Sequence, residues 1–180
     1  MQWKIQNSPW LKKTRMSQLQ VKTMLVCFFD HKGIIHYEFI AQGQTVNQQR
    51  YLEVLTRLCE SVWRKRPVLW PDKWILHYDN APGHDALRVR EFLAKNSITK
   101  MDHLPYSSDL VPCDFWLFPK LKNALKGQRF AGLSDIERNV KMLLRGIPEN
   151  DFQNCFWQWQ HLLMKCIASQ GEYFEGNNSC

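Results

Sequence analysis

The sequence predicts an α/β domain. Three observations predict it: an apolar hairpin in the first quarter, a long run of helical periodicity behind it, and a second apolar strand followed by further helical segments.

The elements follow in order. Residues 1–20 carry Pro9 and scattered lysines and are expected to be an irregular basic arm, with the domain proper over 21–180. "VKTMLVCFF" (21–29) has the β-branched and aromatic content of a strand. "DHKG" (30–33) is a tight turn, and "IIHYEFI" (34–40) is its hairpin partner. Beyond the polar loop "AQGQT", Val46, Tyr51, Leu52, Leu55, Leu58, Cys59, Val62 and Trp63 recur at helical spacing. They predict a helix over 46–65 that "RPVLWPD" stops. A strand at 73–79 follows, then a short helix from His84 to Lys95 and a weak strand at 98–103. The loop "LPYSSDLVPCD" leads into a helix from Cys113 to Lys126, and helices over 134–146 and 149–168 close the chain.

Composition bounds the function. With 180 residues, 44% hydrophobic and 13% aromatic, the chain is long and apolar enough to bury a core without metal or disulfide staples. The six cysteines form no C-x-x-C pair, which signals neither a zinc site nor a disulfide framework. No signal peptide is evident and no apolar run reaches membrane length, so a nuclear or cytoplasmic protein without a membrane partner is expected. The net charge of +7 favours a polyanionic partner. Residues 1–29 hold Lys4, Lys12, Lys13, Arg15 and Lys22 and no acidic residue.

Two acidic features carry the chemistry. "KWILHYDNAPGH" runs an apolar strand into Asp79 and then breaks it with a rigid turn. "YSSDLVPCDFW" sets Asp114 at a helix start behind Pro105 and Pro112, with 34 residues between the two aspartates. Paired carboxylates suit Mg²⁺, and two such ions clamp the attacking and leaving oxygens of a phosphodiester transfer. The structural alternatives stay open on these residues alone: Asp79 as a turn residue bonding local amides, and Asp114 as a helix N-cap.

Longer motifs add a family. "ILHYDNAPGH", "LPYSSDLVPCDFWLFPKLKNALKGQRF" and the terminal "GEYFEG" resemble the catalytic domain of mariner-type transposases. So do "VKTMLVCFFDHKGIIHYEF", "GQTVNQQRYLEVLTRL" and "KRPVLWPDKW", in the same order. The resemblance implies a ribonuclease-H-like mixed sheet flanked by helices, and a reaction that cuts and joins DNA with three aspartates. Asp79 matches the second of these and Asp114 the third. Ser108 and Val111 stand where the family usually has Pro and Ala, which implies a looser loop before Asp114.

One departure bears on function. The family's first aspartate lies on a strand upstream of the stretch that "QWK" (2–4) resembles, so the resemblance implies a sheet lacking its first, central strand. The expectations are then a gapped or rearranged sheet and a possible homodimer across its open edge. Asp30 is not a substitute, since it occupies a hairpin turn where Asp has an ordinary structural role. With Asp79 and Asp114 alone, full cut-and-paste activity is not expected. Mg²⁺ or Mn²⁺ is the cofactor for any activity that survives, and none otherwise. A catalytically silent nucleic-acid-binding or interaction module is the first reading. Residual metal-dependent nicking and a transposon remnant without selected function are the alternatives.

The candidate contacts to DNA, expected to be weak and independent of sequence, are Lys12, Lys13 and Arg15 in the arm and Lys120, Lys122, Lys126 and Arg129 behind Asp114. A solvated helix face explains the second group nearly as well. His84 is placed to meet DNA or a carboxylate, or to serve as a helix-start cap. His77 is a packed strand residue, and Trp157 and Trp159 are core packing of the last helix. No small-molecule substrate is signalled.

Overall fold

A computed structural model describes residues 23–41, 43–69, 74–81, 83–105 and 107–170. The basic arm, with Lys12, Lys13 and Arg15, lies outside them. The elements are β1 (Met24–Asp30), β2 (Gly33–Ile40), α1 (Gln48–Lys65), β3 (Ile75–His77), α2 (Leu87–Lys95), β4 (Thr99–Met101), α3 (Phe118–Leu125), α4 (Leu133–Gly146) and α5 (Glu149–Ala168). A wide π-type turn, Cys113–Leu117, leads directly into α3.

The β1–β2 hairpin is antiparallel and turns at His31 and Lys32, where Gly33 takes the positive φ of 130° that the turn needs. Its register runs from Met24↔Ile40 to Phe28↔His36, then skips Ile35 and resumes at Phe29↔Ile34. That bulge lets neighbouring Ile34 and Ile35 reach different cores. Ile35 joins Phe28 against α1, whereas Ile34 packs with Leu25, Cys27 and Phe29 toward α3 and α4. The hairpin is therefore the middle of three layers, with a buried apolar cluster on each face.

α1 is the largest structural investment. Asn47 caps it by accepting from the Arg50 amide at 2.9 Å. Tyr51, Val54, Leu55, Leu58, Cys59 and Val62 follow the i, i+3, i+4, i+7 rule, and all are buried. Truncating Leu55, which is wholly buried, costs about 3 kcal/mol. On the hairpin side, Glu38 is held by Arg57 at 2.6 and 2.8 Å and by His36 at 2.7 Å.

β3 and β4 pair in parallel, joined by α2, with Ile75↔Thr99 and His77↔Met101. The two ladders stay separate. Among the described residues no backbone hydrogen bond links β1 to β3. Several boundaries differ from expectation. β3 ends at His77, two residues short, and α2 begins only at Leu87, after the His84 amide has bonded the Ala81 carbonyl.

Candidate active site

Asp79 stands two residues beyond β3, after the buried Tyr78. Its carboxylate accepts from His84 Nδ1 at 2.6 Å and from the Ala81 amide at 3.3 Å. Gly83 makes this turn possible. A Cβ there would sit 2.9 Å from the Val46 carbonyl, so the turn presses its backbone onto the entry to α1. The His84 ring then stacks on Tyr51 of α1, with centroids 4.0 Å apart. His84 therefore acts as a carboxylate partner, and the helix-start reading is corrected by the later start of α2. The bond from His84 holds the Asp79 carboxyl below the usual range.

Asp114 lies in the first turn of the π-type segment behind Pro112, exposed to solvent. Although the side chain reaches solvent, partial desolvation raises its carboxyl above the ordinary value first, and the negative charge of Asp79 raises it further, with His103 opposing. The Asp79 charge is thus felt at Asp114, as a minor contribution beside desolvation. Asn80 ties the two approaching loops by donating to the His103 carbonyl at 2.8 Å. Among the described residues no group of three or more His, Cys, Asp or Glu side chains is gathered to hold a metal ion. Carboxylates are the hard oxygen ligands that Mg²⁺ and Mn²⁺ prefer, and Asp79 and Asp114 are the two that the sequence reading offers.

Asp30 has a different employment. It accepts from the Lys32 amide at 2.9 Å and from both ends of the Arg66 fork, at 2.7 and 2.9 Å. Burial works to raise its carboxyl, but the Arg66 bonds and charge outweigh it and the net shift is downward. This is the structural turn role.

The basic cluster behind Asp114 is exposed on α3 and the loop after it. Lys120 pairs with Asp151 at 2.7 Å and lies 5.8 Å from the Trp116 ring centroid, so it is already engaged. Lys122, Lys126 and Arg129 have no acidic partner among the described residues. His77 is packed, 5.0 Å from the Trp159 ring, and burial lowers its pKa to about 4. Trp159 donates to the Leu110 carbonyl at 2.8 Å, as a core residue should. Trp157 is 58% exposed and packs at a tilt against His161, which corrects its reading as core. Tyr51 and His103 escaped sequence reasoning: both sit on unrelated elements, and only the folded turn brings them to the aspartates.

A family model for the transposase partial DDE domain matches residues 1–72. The Mariner Mos1 transposase of Drosophila mauritiana is 35% identical over 173 residues, which cover 93% of this chain and 49% of that protein. The structure of the Mos1 transposase catalytic domain with raltegravir and Mg superposes with a TM-score of 0.80 at 34% identity, covering 85% of this chain and 77% of that one. The chain belongs to the mariner transposase family. It corresponds to the catalytic region, and its fold is ribonuclease-H-like. A Mos1 transposase paired-end complex with left transposon end gives a TM-score of 0.80 at 31% identity, over 97% of this chain and 51% of that one. The chain thus spans about half the length of the full Mos1 transposase.

Proposed function

We propose that this mariner-derived domain is a DNA-binding or interaction module whose two-carboxylate site is catalytically silent. The observation that carries the reading is the state of Asp79. Its strongest contact is His84, and its acidic company among the described residues is Asp114 alone. A metal bound there supplies a Lewis acid and a nucleophilic water. In-line phosphoryl transfer also needs that metal fixed in geometry, and two carboxylates leave most of the shell to solvent. The chain's own residues do the rest: Asn80 fixes the loops, and Lys122, Lys126 and Arg129 offer unpaired cations to phosphates. The +7 net charge and the relative solved with a transposon end both support DNA as the partner.

Residual nicking is the second reading, favoured by the repulsion between Asp79 and Asp114 that a divalent cation relieves. One experiment separates them. Supercoiled plasmid is incubated with Mn²⁺ and the chain, Asp79→Ala or Asp114→Ala, while duplex binding is followed by fluorescence anisotropy across a salt series. The proposal expects steep salt-dependent binding without metal dependence, and no cleavage above background. Robust Mn²⁺-dependent nicking that vanishes in both variants sinks it.

A further inference from the structure

α5 has two faces of opposite character. Phe152 and Phe156 meet Phe29 of β1, and Trp159 bonds the Leu110 carbonyl, so one stripe faces the domain. Across the helix a second stripe at i, i+3, i+4 and i+7 carries Asn154, Trp157, Gln158, His161, Met164 and Lys165, all exposed. The sequence holds no acidic residue from 152 to 171. Lys165 has no acidic partner among the described residues.

Trp157 stands in the middle of the outer stripe, exposed but held. His161 Nδ1 donates to the Trp157 carbonyl at 2.9 Å, which fixes the imidazole. The imidazole in turn lies tilted against the indole, with ring centroids 3.9 Å apart. That bracing removes rotamer freedom before any partner arrives, and the rest of the indole stays open to solvent.

The pattern decides the occupant. A second copy or another helix needs an unbroken apolar seam, and here Asn154, Gln158, His161 and Lys165 interrupt Trp157 and Met164. An acid-free surface with a braced indole, a cation and side-chain amides fits a single strand of nucleic acid. Bases stack on an aromatic face whatever their identity, and the phosphates that join them meet the cation. Lys165 lies on the same side as Trp157 and about 12 Å further along the helix, so one strand reaches both. The interior of a duplex offers that indole no free base face.

We propose that the outer face of α5 binds unpaired DNA, with a base stacked on Trp157 and a phosphate on Lys165. The inference rests on the DNA-binding reading above and gives it a substrate class, the opened strand, beside the duplex expected at Lys122, Lys126 and Arg129.

The test uses the full chain and three fluorescein-labelled probes in anisotropy titrations. They are a short oligothymidine, an abasic strand of the same length, and a duplex sealed at both ends. The unmodified chain should bind oligothymidine at least about fivefold more tightly than the abasic strand. Trp157→Ala should abolish that difference and leave affinity for the sealed duplex unchanged. Trp157→Phe, which keeps an aromatic face, should retain part of it. Lys165→Ala should lower the slope of log affinity against log salt for oligothymidine by ~0.7. Circular dichroism checks the fold of each variant, and Trp157→Phe with Lys165→Ala carries the test if the alanine variant at 157 unfolds. Equal binding of oligothymidine and abasic strand by the unmodified chain overturns the proposal. So does a loss in Trp157→Ala that single strand and duplex share equally, or a salt slope that Lys165→Ala does not move. A dimer in sedimentation that Trp157→Ala dissolves assigns the face to a second copy and overturns it too. If the duplex still binds in these cases, the inference alone fails; if no probe binds, the DNA-binding reading fails with it.

Discussion

Asp30 closes β1 and Asp79 follows β3, yet Asp30 lies only 17% exposed under a two-pronged Arg66 while Asp79 stays 54% exposed with a single histidine. The Asp30 carboxylate has nearly every lone pair committed, so it can only hold the hairpin to the end of α1. Asp79 keeps acceptor sites open to solvent. A strand-end acid becomes a site when its neighbours leave it incomplete, and becomes a staple when they finish it.

The largest test of that contrast is Arg66→Ala. It strands a half-buried carboxylate, and a charge-assisted bond of this kind is worth about 2 kcal/mol. Urea unfolding should show that loss, while Asp79→Ala stays within about 0.5 kcal/mol, as exposed positions do. The pH dependence should agree. The folded Asp30 pKa is lowered, so its contribution is present above the unfolded value near ~3.9 and lost as pH falls through the folded one. Arg66→Ala should therefore flatten the acid limb of the stability curve. Equal losses in the two variants would show the carboxylates to be equivalent.

How much of this contrast was legible in the sequence depends on its range. α1 and α5 were, because their determinants are local: periodic apolar positions in α1, and in α5 Pro148 followed by Glu149 and Asp151 in the first turn. The buried stripe of α5, Phe152 and Cys155 with half-buried Phe156 and Trp159, follows the same spacing, and Trp157 falls outside it. The turn role of Asp30 was also local, although Arg66, 36 residues away, was not visible. The bond from His84 to Asp79 depends on a non-periodic turn whose path is set by Gly83 meeting α1, so no pattern of spacing announces it. The π-type widening at 113–117 has no compositional signature either.

A smaller effect is expected at His84. His84→Ala removes a ring stacked 4.0 Å from Tyr51 as well as the 2.6 Å bond to Asp79, and should cost about 1 kcal/mol, as aromatic pairs do. It also frees the Asp79 carboxylate. Mn²⁺ binding, read by paramagnetic line broadening, should then tighten a few-fold over the unmodified chain, bringing Asp79 further from the Asp30 pattern. Unchanged Mn²⁺ binding together with the stability loss would make His84 a packing residue alone.

The DNA surface gives a graded comparison between engaged and unengaged cations. Lys122→Ala, Lys126→Ala and Arg129→Ala combined should lower the slope of log affinity against log salt by up to ~2.7, at ~0.9 per phosphate contact. Lys120→Ala should move it little, because Asp151 already neutralises that ammonium. A slope unchanged in the triple variant places the DNA contact elsewhere.

The smallest effect is the most specific to the paired acids. The raised pKa of Asp114 means its contribution to stability is full below the unfolded value near ~3.9 and is lost as pH rises through the folded one, opposite in sign to Asp30. Asp114→Asn should therefore stabilise the chain at pH 7, by only a few tenths of a kcal/mol because the group is largely solvated. Part of the shift comes from burial, which the substitution relieves in any background, and part from Asp79. The gain should accordingly shrink, without disappearing, when Asp79→Asn is already present, and it should vanish at pH 3, where the Asp114 carboxyl is protonated. Urea unfolding of the four proteins of the double-mutant cycle at both pH values reads this directly. Gains at pH 7 that are identical in the two backgrounds would mean that Asp79 and Asp114 do not face one another, and the site would reduce to two unrelated acids.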